Sequence, residues 1–237
     1  MTALAMPRGA AAQQPQPLHA FRNLGGSFRI DVPTTWRQLS PNEARRVAAM
    51  PGAPATLGYV EPRLFYAVGP VDAWLEGRFD GAWMWVVEQE NEWAADGDLD
   101  REVAPKLREM WDRNAAATGV RHELLSIRRE EVGTDKHRAI VVHRRTTPAD
   151  GRGGTASLDV HAPAGGQQFS LSFTCPGPDF ERSEPEFRRW LATLAFARAA
   201  RGEQTLGDRL WTPLLAGGMV TLVLLVLYKY TRRRPSS

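Results

Sequence analysis

The stretch that decides the fold is QQFSLSFTCPGPDFERSEPEFRRWLATLAF, Gln167 to Phe196. Its first part alternates: Phe169, Leu171 and Phe173 are separated by Ser170 and Ser172, the period-2 pattern of a strand with one buried face. Its last part changes period. Phe187, Trp190, Leu191 and Leu194 fall on one face of a helix expected over Glu184 to Ala195, with Ser183 and Glu186 spaced as a capping box. With the elements upstream, this strand and helix give an α+β domain, an antiparallel sheet with helices packed against it.

Upstream of this stretch, three more strand candidates run from Val120 to Glu130, His137 to Thr146 and Gly154 to Ala162. Gly133-Thr134-Asp135, Pro148 to Gly153 and Pro163 to Gly166 separate them, so a meander of antiparallel hairpins is expected. The clearest helix, Asp98 to Ala117, precedes the meander. Val103, Leu107, Met110 and Trp111 share one of its faces, and Gly119 closes it. Ala82 to Glu90, AWMWVVEQE, suits a central strand or the start of a helix equally well.

At the other end, SFRIDVPTTW (Ser27 to Trp36) places Phe28, Ile30 and Val32 on one face of a strand, with Trp36 set to fold back over the sheet. A short helical turn follows over Pro41 to Met50, then strand-like runs over Ala55 to Val60 and Arg63 to Val68. Residues 1–20, rich in Ala, Gln and Pro, read as an extended N-terminal arm.

FRIDVPTTW, the long helix feeding hairpin strands, and the closing strand–helix stretch together resemble the PsbP-like fold, that of the extrinsic photosystem II subunit. A Ran-binding nuclear-import protein and bacterial proteins of unknown role share it. The resemblance spans about Leu24 to Phe196. It implies an antiparallel sheet flanked by helices over residues 21–197, and an adaptor or accessory role rather than an enzymatic one. It carries no ligand residues with it, so the photosystem subunit's ion-binding role does not transfer.

The C-terminal segment departs from that pattern. Leu210 to Tyr228 runs nineteen residues without a charged side chain, about the length an apolar helix needs to cross a bilayer. A linker over 198–209, a transmembrane helix over 210–230 and a basic tail over 231–237 are expected. Trp211, Tyr228 and Tyr230 suit the headgroup level, and Lys229, Arg232, Arg233 and Arg234 suit anionic headgroups. Ala216, Gly217 and Gly218 form a small-residue notch where another helix could pack. Positive-inside counting puts the tail in the cytoplasm, whereas the absence of an export signal favours a tail-anchored chain with its domain there. The second arrangement is the expectation.

The formal charge of +3 comes largely from Lys229 and the three arginines after it, which leave −1 for residues 1–228. A nucleic-acid-binding domain would carry its excess positive charge on the folded part. Cys175 is the only cysteine, which excludes an intrachain disulfide and a thiolate metal cluster, and it is expected as a small buried hydrophobe.

The acidic run at Asp96, Asp98, Asp100 and Glu102 fails as a calcium loop. Counted from Asp96, the sixth and twelfth positions hold Arg101 and Leu107 where Gly and Glu are needed. Asp98 is instead expected to cap the helix. His137 and His143 share a strand face and His161 could approach them, but Arg138, Arg144 and Arg145 crowd the same run and oppose a metal cation. No nucleophile, base and orienting acid come together, and no cofactor is expected.

The expectation is a non-catalytic accessory subunit of a multi-protein membrane complex. The resemblance makes a photosynthetic complex the first specific reading. The alternatives are a free-standing membrane-tethered binding module and a tail-anchored enzyme.

Overall fold

The computed structural model describes residues 16–54, 57, 60, 64–89, 98–151 and 153–197. Among the described residues, ten strands form two antiparallel sheets. The smaller has the order β1-β2-β10, from Leu18–Arg22, Phe28–Pro33 and Ala195–Phe196. The larger has the order β3-β4-β5-β9-β8-β7-β6. Its strands are Arg37–Gln38, Phe65–Gly69, Trp83–Gln89, Arg121–Val132, His137–Thr147, Thr155–Ala164 and Gln167–Pro176, β3 to β9 in chain order. Residues 18–20, read from sequence as part of the arm, pair with β2, while residues 1–15 lie outside the described residues. Most of the run Ala55 to Val60 lies outside them too.

One face of the large sheet is sealed. Tyr66, Val68, Met84, Val86, Val141, Leu158, Val160, Phe169, Leu171 and Phe173 point into a core closed by the small sheet and by helix α4 (Phe180–Leu191). Phe187 stacks on Phe173 at 5.7 Å and Phe180 on His143 at 3.9 Å. Trp36 folds back as expected and meets the edge of Trp190 at 4.8 Å. The Thr193 hydroxyl accepts from the Asp31 amide and donates to the Trp190 carbonyl, which ties the small sheet to the end of α4.

The other face is divided. Helices α1 (Pro41–Ala48) and α2 (Val71–Leu75) cover β4 and β5 through Leu39, Val47, Ala67, Trp74 and Trp83. Ser40 and Glu43 form a capping box that starts α1. Helix α3 (Ala104–Thr118) covers β6 and β7 through Leu107, Trp111, Ile140 and Val142. A π-helical turn over Leu99–Val103 leads into α3, Asp98 caps that turn through the Asp100 and Arg101 amides, and Gly119 closes α3 at φ 72°.

Three expectations need correction. Met110 is 37% exposed rather than on the buried face of α3, because Val103, Leu107 and Trp111 already fill the contact with the sheet. The capping box at Ser183 does not start α4: the helix begins at Phe180, whose ring is drawn onto His143, and Pro185 sits inside it. That helix also stops at Leu191: the Thr193 and Leu194 amides turn back to the Trp190 and Leu191 carbonyls, three residues away, and the Leu194 carbonyl then accepts from the Thr134 amide in the β6–β7 turn.

Between Trp83 and Gln89 the sequence left strand and helix open. The segment is β5, central and covered on both faces, which is why its apolar residues do not alternate with polar ones.

Candidate binding cleft

The strip of β8 and β9 between α1/α2 and α3 carries polar side chains in place of apolar ones: Ser157, Asp159, His161, Ser170, Ser172 and Thr174. An isolated buried charge costs several kcal/mol, so this strip demands partners, and it has them. Arg144 of β7 donates to Asp159 through Nε (2.8 Å) and Nη2 (3.3 Å), with both side chains largely buried. The same guanidinium lies 5.8 Å from the centre of the Trp111 ring. His122 Nδ1 stands 2.9 Å from Thr146 Oγ1 and 3.2 Å from Arg144 Nη1. Burial first, and then the Arg144 charge, lower the His122 pKa to about 4, so the ring is neutral at pH 7.

Ser157 and Thr174 hydroxyls bond at 2.9 Å, and His161 Nδ1 meets Ser170 Oγ at 2.8 Å. The last pair has the distance of a base and a nucleophile, yet Asp159, the only acid of the strip, is engaged by Arg144. Burial holds His161 below its ordinary value. The strip therefore reads as a self-satisfied polar network that fixes register.

His161 does not join His137 and His143. Its partner across the ladder is Ile140, which places it on the divided face, whereas His143 faces α4 and His137 meets the edge of Phe196 at 4.8 Å. Among the described residues no group of three or more His, Cys, Asp or Glu could hold a metal ion.

A concave feature of the described residues lies elsewhere, where the β2–β3 turn, the α2 region and α4 converge. A cleft of about 560 Å³ is lined there by Trp36, Pro70, Arg78, Asp80, Cys175, Asp179, Arg182, Glu186 and Trp190 among others. Cys175 is buried as expected, and burial pushes its thiol up to about 11, far from a reactive thiolate. Arg182 and Asp179 pair across 2.8 Å. The Trp190 indole Nε1 is buried with no hydrogen-bond partner among the described residues. Two indole rings, three prolines and charges of both signs suit an amphipathic segment better than a small ionic substrate.

Beside the cleft, Arg37 bridges Glu43 of α1 and Asp72 of α2 at 2.8 and 2.9 Å. Its guanidinium holds the Glu43 carboxyl down to about 2. Sequence reading missed this cleft because its lining comes from three distant segments. It also missed the Arg144–Asp159 pair, although a carboxylate between Leu158 and Val160 was a signal that a cation must lie opposite.

The predicted packing residues Ala216, Gly217 and Gly218 lie outside the described residues. So do the predicted interface residues Trp211, Tyr228, Lys229, Tyr230, Arg232, Arg233 and Arg234. Among the described residues no helix is long and apolar enough to cross a membrane.

No family model matches the chain, and no curated protein does. Solved structures do. The cyanobacterial PsbP, CyanoP, of a Synechocystis species aligns over 80% of this chain and 98% of its own, with a TM-score of 0.50 at 11% identity. The Ran-binding protein Mog1p of Saccharomyces cerevisiae aligns over 73% and 85%, with a TM-score of 0.39 at 11% identity. The likeness to CyanoP establishes a PsbP-like fold.

Proposed function

We propose that this chain is a non-catalytic accessory subunit of a membrane protein complex, its PsbP-like domain held at the surface by the apolar segment over 210–230. The observation that carries this reading is the cleft beside α4. Its indole faces, Trp36 and Trp190, and the flanking charges of both signs are what an amphipathic partner segment would cover. The polar strip on the other face supports it, because its histidines and its acid are each engaged by a neighbouring hydroxyl or by Arg144. The uncharged run from Leu210 to Tyr228 and the four cations after it supply the anchor. CyanoP makes a photosynthetic complex the first assembly to examine.

Extraction of the native membrane tests this. Retention through an alkaline wash, release by mild detergent and co-migration with larger partners are expected. Co-migration should be lost on Trp36→Ala, which opens the cleft wall. A chain that migrates free of other proteins favours the membrane-tethered binding module instead.

A further inference from the structure

Strand β6 is a twelve-residue edge of the large sheet, and an edge strand leaves every second amide and carbonyl pointing outward. Such edges are usually guarded by charges, and this one carries Arg121, Glu123, Arg128, Arg129, Glu130 and Glu131. Their order is not random. The ladder with β7 slips between Leu124 and Ser126, so a bulge at Leu125 inverts the alternation halfway along the strand. Arg121, Glu123, Ser126, Arg128 and Glu130 share the sealed face, while His122, Leu124, Ile127, Arg129 and Glu131 share the divided one.

We infer that β6 is a self-complementary docking edge, through which two copies of this chain pair antiparallel about a two-fold axis between Leu125 and Ser126. In this register Arg121 stands opposite Glu130 of the second copy, and Glu123 opposite its Arg128, each contact made twice by symmetry. Leu124 meets Ile127. Both are half-buried against Val103, Leu107 and Trp111, so pairing joins the two apolar clusters across the axis. Leu125, 37% exposed, lies beside the axis. His122 faces Arg129 as a neutral ring.

The bulge makes the register selective. A slip of one residue sets side chains of opposite faces against each other. A slip of two, one way, puts Arg121 against Arg128; the other way puts Glu123 against Glu130. Like charges therefore guard both neighbouring registers, and unrelated strands meet the same charges without the matching order. Glu123 and Glu130 already bond Arg145 and Arg188 within the chain, at 3.1 and 2.8 Å, and each carboxylate keeps further acceptor sites for a second arginine.

The test uses the full chain in mild detergent. Sedimentation across a concentration series should show a monomer–dimer equilibrium. Arg128→Glu should raise the dimer dissociation constant about tenfold or more, and Glu123→Arg combined with Arg128→Glu should restore it. Mixing chains carrying Arg121→Cys with chains carrying Glu130→Cys should give a mixed disulfide on mild oxidation, whereas Arg121→Cys with Arg128→Cys should not. Circular dichroism shows whether each variant is folded, and the cysteine pairs decide the register should the charge variants unfold. A monomer at every concentration up to about 100 μM, or a dimer indifferent to both the charge swap and the cysteine register, overturns the inference.

Discussion

The two faces of the large sheet solve the same burial problem in opposite ways. One is sealed by a second sheet and α4 with an almost wholly apolar layer. The other is covered at both ends by helices and carries, between them, a strip whose stability rests on paired polar groups. Apolar packing tolerates loss in proportion to the volume removed. A buried polar network fails when a single partner goes. The comparison thus separates the part of the domain that sets stability from the part that sets register and specificity.

The largest effect expected from breaking it lies on the sealed face. Phe173→Ala removes a fully buried ring stacked on Phe187 and should cost about 3–5 kcal/mol in denaturant unfolding. On the divided face, Asp159→Ala strands the Arg144 guanidinium and should cost about 3 kcal/mol. Arg144→Met with Asp159→Leu should recover most of that loss. Additive losses in that double variant would show that the pair does not act as a unit.

Next comes pH. His122 is held well below 6.5 when folded, so the unfolded chain binds more protons between about pH 6.5 and 4. Its contribution is complete above pH 6.5 and is lost as the pH falls toward 4. Discounted for partial exposure, that is about 1–2 kcal/mol. His122→Gln should flatten the unfolding profile in that window, and an unchanged slope would remove His122 from the account. The smallest expected effect is at an exposed helix start: Ser40→Ala, which deletes the α1 cap, should cost about 1 kcal/mol.

The sealed face was also the legible one. Phe28, Ile30 and Val32, and Phe169, Leu171 and Phe173, alternate because one side of each strand meets the core. Legibility fails where that condition fails. Trp83 and Trp85 pack on α2's cluster while Met84 and Val86 pack on the core, so β5 shows no period. Whether His161 approaches His143 depends on the β7–β8 register, which the turn between them fixes and local alternation does not. The cleft was invisible for a further reason: Trp36, Arg78 and Trp190 belong to separate elements, and only the packing of α4 brings them together.

The role proposed for the domain is that of an anchored, non-catalytic partner of other proteins. Native-gel migration of the endogenous chain after alkaline wash and mild-detergent extraction tests it most directly. An accessory subunit should stay in the membrane and migrate with a complex much larger than two copies of the chain. Release by the wash alone, or migration as no more than a monomer or dimer, would contradict it.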